Sequence, residues 1–202
     1  MTTMLTWQAE DGHGLEGTRL LLGTGGFRAL GRLVRADPHG GFTASYRLLV
    51  GDDGTLERLS VTSATAERER HLTINRTDDG IWLLDTGTGT GSTRADFAQA
   101  VDVDLAFSPM FNTLPIRRFG LHRNMGEHIV PMVYVSLPDL EVRAVEQTYR
   151  TVSELDGEDG HALVEFRWED FTAELVVDAD GVVASYPGLA RRLTDGVPQP
   201  TA

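Results

Sequence analysis

His161-Ala-Leu-Val-Glu-Phe-Arg-Trp168, Phe171-Thr-Ala-Glu-Leu-Val-Val177 and Val182-Val-Ala-Ser-Tyr-Pro187 are separated only by Glu169-Asp170 and by Asp178-Ala-Asp-Gly181. Each run is rich in β-branched and aromatic residues and too short for a packed helix. The connections are too short for anything but antiparallel neighbours. Asp-Gly, the pair that best tolerates the positive φ of a hairpin turn, recurs at 11–12, 53–54, 79–80, 156–157, 159–160 and 180–181. Reading outward from these turns predicts strands near 3–9, 16–23, 27–36, 41–50, 56–65, 68–76, 80–85, 127–136, 140–152, 161–168, 171–177 and 182–187. No unit of about 30 residues alternates a strand with a long amphipathic helix, so a doubly wound α/β fold is excluded in favour of an antiparallel meander.

The strand signal lapses between Ser92 and Leu121. Thr93-Arg94-Ala95-Asp96 has the form of a capping box with Asp replacing Glu, which predicts a short helix over 94–100. Ser108-Pro109 has the form of an N-cap followed by proline in the first turn, so a helical turn or two should follow, disturbed at Pro115. This helical block, 94–119, is expected to plug one face of a curved sheet. Residues 1–194 read as a single domain. Residues 195–202, with Pro198 and Pro200, read as a flexible C-terminal tail.

Composition narrows the function. The 202 residues carry 18 basic and 30 acidic side chains, a net charge of −12, which disfavours nucleic acid and anionic membrane surfaces as partners. Cysteine is absent, which excludes disulfides, thiolate metal sites and cysteine nucleophiles. All basic residues are Arg, so neither Schiff-base chemistry nor a P-loop is available. No signal-peptide run opens the chain and no apolar stretch has membrane-spanning length, so a cytoplasmic location without stable membrane insertion is expected. No cofactor is implied.

Most motifs are weak. Leu20 to Arg28 superficially resembles a dinucleotide loop, but Arg28 occupies the third glycine position, and a turn between strands is the better reading. Gly87 to Ser92 reads as a flexible lip rather than an anion cradle. The six histidines (13, 39, 71, 122, 128, 161) show no metal-binding spacing. Asp102 and Asp104 flank Val103. Extended, they would share one face and supply an acid/base pair. The structural alternative has one Asp paired with Arg117 or Arg118 and the other capping a helix. Paired Arg191-Arg192 could hold an anionic head group or form surface salt bridges.

The strand at 140–152 is the most informative. Leu140, Val142 and Ala144 alternate with Glu141 and Arg143, after which the parity slips so that Val145, Gln147, Tyr149 and Thr151 form the inner set. An extra residue at Ala144-Val145, a β-bulge, would reconcile the halves. In consequence Gln147 and Tyr149 turn inward, where polar groups need partners. The neighbouring strand, 127–136, is apolar on both faces, with Pro131 pointing to an edge or a bulge.

Asp102-Val-Asp104-Leu, Pro109, Asn112-Thr-Leu-Pro-Ile-Arg-Arg118, Tyr134-Val-Ser-Leu-Pro-Asp-Leu140, Gln147-x-Tyr149 and Val177-Asp-x-Asp-Gly-Val-Val183-x-x-Tyr186-Pro-Gly-Leu189-x-Arg191-Arg192, with the Trp7 opening, together resemble the bacterial putative glycolipid-binding family. The resemblance spans essentially the whole chain. It implies a mainly β fold of about eleven antiparallel strands curled into an open half-barrel, with a few short helices filling the concave side. That fold is similar to lipoprotein-localisation carriers. The expected function is non-catalytic binding of a small amphiphile, a lipid or glycolipid, in the concavity. Arg117, Arg118, Tyr134, Gln147, Tyr149 and Tyr186 are the candidates to orient its head group. The resemblance carries no catalytic residues. The rival expectations are an enzyme acting on a small hydrophobic or sugar-containing substrate through Asp102 or Asp104, and an interaction protein whose sheet edge pairs with a partner.

Overall fold

The computed structural model describes residues 1–36, 40–89, 91–155 and 160–193. His39, Thr90, the Asp156-Gly157 turn and the expected tail lie outside them. The strands in chain order are Thr2–Ala9 (β1), Gly14–Leu22 (β2), Phe27–Arg35 (β3), Phe42–Val50 (β4), Leu56–Ala64 (β5), Glu69–Arg76 (β6), Trp82–Asp85 (β7), Thr93–Ala95 (β8), Asp102–Leu105 (β9), Glu127–Val135 (β10), Val142–Ser153 (β11), His161–Trp168 (β12), Phe171–Asp178 (β13), Val183–Tyr186 (β14) and Ala190–Arg192 (β15). Among the described residues one helix, Thr113–Phe119 (α1), follows directly on a 3-10 turn at Pro109–Asn112.

All fifteen strands join one sheet in the order β8-β7-β6-β5-β4-β3-β2-β1-β15-β14-β13-β12-β11-β10-β9. Among the described residues the count is fifteen rather than about eleven. Every strand the alternation predicted is present. The additions, β8, β9 and β15, are three or four residues long, too short to display a period. The sheet is also not wholly antiparallel: β9 runs parallel to β10, with Asp102 opposite Met132 and Asp104 opposite Tyr134. The meander β1–β8 is joined to the other half by β1–β15, through Trp7↔Arg192, Gln8↔Arg191 and Ala9↔Ala190. The terminal strands β8 and β9 do not pair, so the sheet stays open. It nevertheless curls far enough for Arg70 on β6 to reach Asp139 in the β10–β11 turn, at 2.6 Å.

The concave side is filled from the helical block. Met110, Phe111, Leu114 and Ile116 are all fully buried. The first three pack with the β1–β7 side, whereas Ile116 and Leu121 pack with Val130, Tyr149, Phe166 and Val177 on the other half. The block is thus the common core of both halves. Pro115 does not disturb α1: it is the third helical residue, where no intrahelical N–H bond is required. Gly120 ends the helix with φ 65°, a conformation that glycine adopts freely.

Two local expectations are corrected. Residues 94–100 form no helix. Thr93–Ala95 pairs with Trp82–Leu84, and Asp96 accepts the N–H of Ala98 (2.9 Å) in a turn. Aspartate supports such a side-chain turn as readily as a helix cap, and the sheet edge decides between them. Nor is there a bulge at Ala144-Val145, because β10 and β11 stay in register from Val135↔Val142 to Glu127↔Arg150. Arg143 shares its face with Gln147, yet it lies near the strand's end and covers the rings of Tyr134 and Trp168 (5.2 and 5.1 Å). Cation–π stacking lets a charged residue keep the inward parity without being buried. The shift in register falls instead between Thr151 and Ser153. Pro131 sits just before β9 begins to pair with β10, an edge position where its missing N–H is not needed. Gly23 and Gly26 close a turn between β2 and β3 through Gly23 N–H and Gly26 C=O (3.0 Å).

Candidate functional site

The alternation of β11 carries Gln147 and Tyr149 to the concave face, where both are buried. A file of hydrogen bonds runs through them. Asn112 Nδ2 donates to Tyr149 Oη (2.8 Å), Tyr149 Oη to Gln147 Oε1 (3.0 Å), and Gln147 Nε2 to Asp104 Oδ2 (2.7 Å). Each member donates toward the carboxylate, so the negative charge of Asp104 polarises the file in one direction. Burial pushes the Asp104 carboxyl up to about 6, against the lowering effect of the Gln147 bond. Burial also raises Tyr149 and Tyr186, with Asp104 adding to both.

Asp104 and Asn112 open onto a cleft of about 170 Å³. Its walls are aromatic: Tyr134, Phe166, Trp168 and Tyr186. Tyr134 and Trp168 lie 4.8 Å apart, and Phe166 meets Tyr186 edge-on at 5.7 Å. Residues 105–108, leading out of β9, complete the lining. A second, mainly apolar hollow of about 530 Å³ shares Trp168, Tyr186 and Leu189 with the cleft and continues over Phe171, with Glu169 and Asp170 also in its lining. Phe171 is 42% exposed, so an apolar surface adjoins a polar-floored one.

The structure therefore gathers four of the six candidate residues. Tyr134 and Tyr186 line the cleft, and Gln147 and Tyr149 stand one hydrogen bond behind it. It does not bring Arg117 and Arg118 there. Arg118 pairs with the fully buried Asp102 and stacks on Phe119 (4.1 Å). Arg117 Nη1 donates to the Asp180 carbonyl (2.5 Å). Asp102 is thus the structural partner of an arginine, and Asp104 caps no helix but takes the Gln147 bond. Arg192 pairs with Asp178 (2.6 Å). Of the side chains lining the cleft, only Asp104 is charged. Arg143 stands at the rim, 3.8 Å from Glu169.

Trp168, Phe166 and Asn112 are cleft residues that the sequence did not single out. Trp168 ends a strand before a two-residue turn, where a large aromatic has no core reason to be, and that was a usable signal. Asn112 carried no signal of its own beyond the family motif, because its role depends on Tyr149, 37 residues away. Among the described residues no group of three His, Asp or Glu side chains could hold a metal ion, and no helix is long and apolar enough to cross a membrane.

Residues 4–192 match the model of a family described as "Putative glycolipid-binding". The fold is similar to a crystal structure of a DUF1089 family protein from Pseudomonas aeruginosa, with a TM-score of 0.71 and 30% sequence identity over 90% of this chain and 92% of that one. No curated protein matches the chain.

Proposed function

The chain belongs to the family described as putative glycolipid-binding, and on that premise we propose that it binds an amphiphile with an uncharged sugar-like head without transforming it. The supporting observation is the junction of two surfaces: a small aromatic cleft floored by Asp104 and Asn112, continuous through Trp168, Tyr186 and Leu189 with an apolar hollow. Tyr134, Trp168 and Tyr186 give the C–H side of a pyranose an aromatic wall. Asp104 and Asn112 offer an acceptor and an amide to its hydroxyls. Gln147 and Tyr149 hold those two groups in place, and the Arg118–Asp102 pair braces α1. A lone carboxylate lining the cleft repels a phosphate head. At about 170 Å³ the cleft takes a head group, not an acyl chain. The chain lies along the Phe171 hollow.

Isothermal titration with methyl, butyl and octyl β-D-glucopyranosides tests this reading. Each methylene buried is worth ~0.8 kcal/mol, about fourfold in affinity, so binding should tighten along the series and octyl phosphate should not bind. Trp168→Ala should weaken the octyl glucoside about tenfold. Equal affinities across the series, or no binding, would overturn the proposal.

One observation favours a catalytic reading: a carboxyl shifted to about 6 in a cleft is a feature of acid–base sites. Glucose released from octyl glucoside, and abolished by Asp104→Asn, would select that reading.

A further inference from the structure

Behind the cleft lies a second polar centre. Glu16 on β2 is only 3% exposed. Its Oε1 accepts hydrogen bonds from Tyr46 Oη (2.5 Å), Ser108 Oγ (2.7 Å) and Thr18 Oγ1 (3.1 Å). Its Oε2 is buried without a partner. A buried carboxylate oxygen left unpaired is costly, and such atoms call for an explanation. Arg35 lines the same pocket but is engaged by Asp11 (2.5 Å) and lies over the Phe107 ring (4.4 Å).

The space beside Glu16 is about 10 Å³, the size of one hydroxyl or water. Phe107 walls this space and also walls the cleft. Ser108, the next residue, touches both: it lines the cleft and donates to Glu16. Phe107 has φ 66°, a genuine outlier for a bulky side chain. Backbone strain of this kind, about 1–3 kcal/mol, persists where structure or function demands it.

We infer that Phe107 is a gate between the cleft and Glu16, and that Glu16 Oε2 is a deeper acceptor for a hydroxyl of the ligand when the ring swings aside. The ligand's part in this inference rests on the cleft-binding reading; the gate does not. The chemistry selects a donor. Oε1 already takes three O–H groups, so once the carboxyl is ionised, above its midpoint, the free Oε2 can only accept. An ether or a phosphate in that position gains nothing, whereas a polyol does.

Carbon-13 NMR of the Glu16 carboxyl separates the two parts. Phe107→Gly removes the ring and relieves the positive φ, so the variant should fold. In it the Glu16 titration midpoint should fall by a unit or more, from about 7 toward the ordinary 4.5. Trp168→Ala, which opens the cleft from the other side, should leave the midpoint in place. An unchanged midpoint in Phe107→Gly, or an equal fall in Trp168→Ala, overturns the gate. Octyl glucoside added to the native protein should move both the Glu16 carboxyl and the Trp168 indole signals. Movement of Trp168 alone overturns the deeper acceptor while the cleft stands. Movement of neither overturns the acceptor and the cleft together.

Discussion

At the scale of single residues the molecule carries an electrostatic cost at three carboxylates raised by burial, Glu16, Asp102 and Asp104, of which the first two have opposite solutions. Glu16 has hydroxyl donors and no cation, and burial pushes its carboxyl up to about 7. The folded state therefore holds a proton that the unfolded chain releases above the ordinary value of 4.5. Stability from this group is fully present at and below pH 4.5, declines as pH rises toward 7, and is flat above. The whole step is about 3 kcal/mol. Urea denaturation of Glu16→Gln and the native protein at pH 5 and pH 8 should show the difference between them moving by about that amount in the variant's favour at the higher pH. A constant difference would show that Glu16 ionises as freely in the fold as out of it. Asp102 is raised by burial too, but Arg118 opposes the rise. Arg118→Ala should cost about 3–5 kcal/mol by leaving a buried charge alone, and Asp102→Leu added to Arg118→Leu should recover most of it. Chemical denaturation of the single and double variants measures the recovery.

At the scale of elements the segment from Pro109 to Gly120 is the part that commits the fold. It is too short to be helical by itself and is held by its burial on both sides. Phe111 is fully buried and meets Tyr46 edge-on at 5.0 Å. Tyr46 in turn lies flat over Gly31, its cross-strand partner, where any β-carbon would come within 2.1 Å of the ring. Phe111→Ala should lower stability by about 3–5 kcal/mol, the usual cost of emptying an aromatic site in a packed core. Calorimetry would read this directly, and a loss under 1 kcal/mol would mean that the concave side is loosely packed. The bulge expected in β11 and absent from it has a different cause. Alternation in a strand reports which residues face inward, but not whether the inward end of the strand is covered. Arg143 is at the uncovered end.

At the scale of the whole molecule the sheet is two meanders joined by its shortest strands. The β1–β15 and β14–β15 pairings bring the two ends of the chain together. Across this junction Trp7 Nε1 donates to the Val183 carbonyl (2.9 Å). A chain ending at Val182 lacks β14 and β15 and should lose its single cooperative transition. Trp7 and Trp82 report on one half and Trp168 on the other, so fluorescence should show non-coincident unfolding or none. One coincident transition would show that the helical plug alone unites the halves. How the protein meets a ligand is also decided at this scale. The plug closes most of the hollow that a half-barrel offers, leaving a head-group cleft and an adjoining open apolar surface.

The amino-acid sequence by itself determined twelve of the strands, the Asp-Gly turns at 11–12, 53–54, 79–80 and 180–181, the helical turns after Ser108 and the inward direction of Gln147 and Tyr149. These follow from two-residue periodicity, backbone permissiveness and the solvation of polar side chains, all of which are local. Only the tertiary structure decided that Arg118 pairs with Asp102, that Asp104 and Asn112 end one hydrogen-bond file, and that Trp168 and Tyr186 line one cleft. Those are pairings between segments tens of residues apart. Several arrangements satisfy the same local rules, and the packing of the plug against both halves of the sheet selects one.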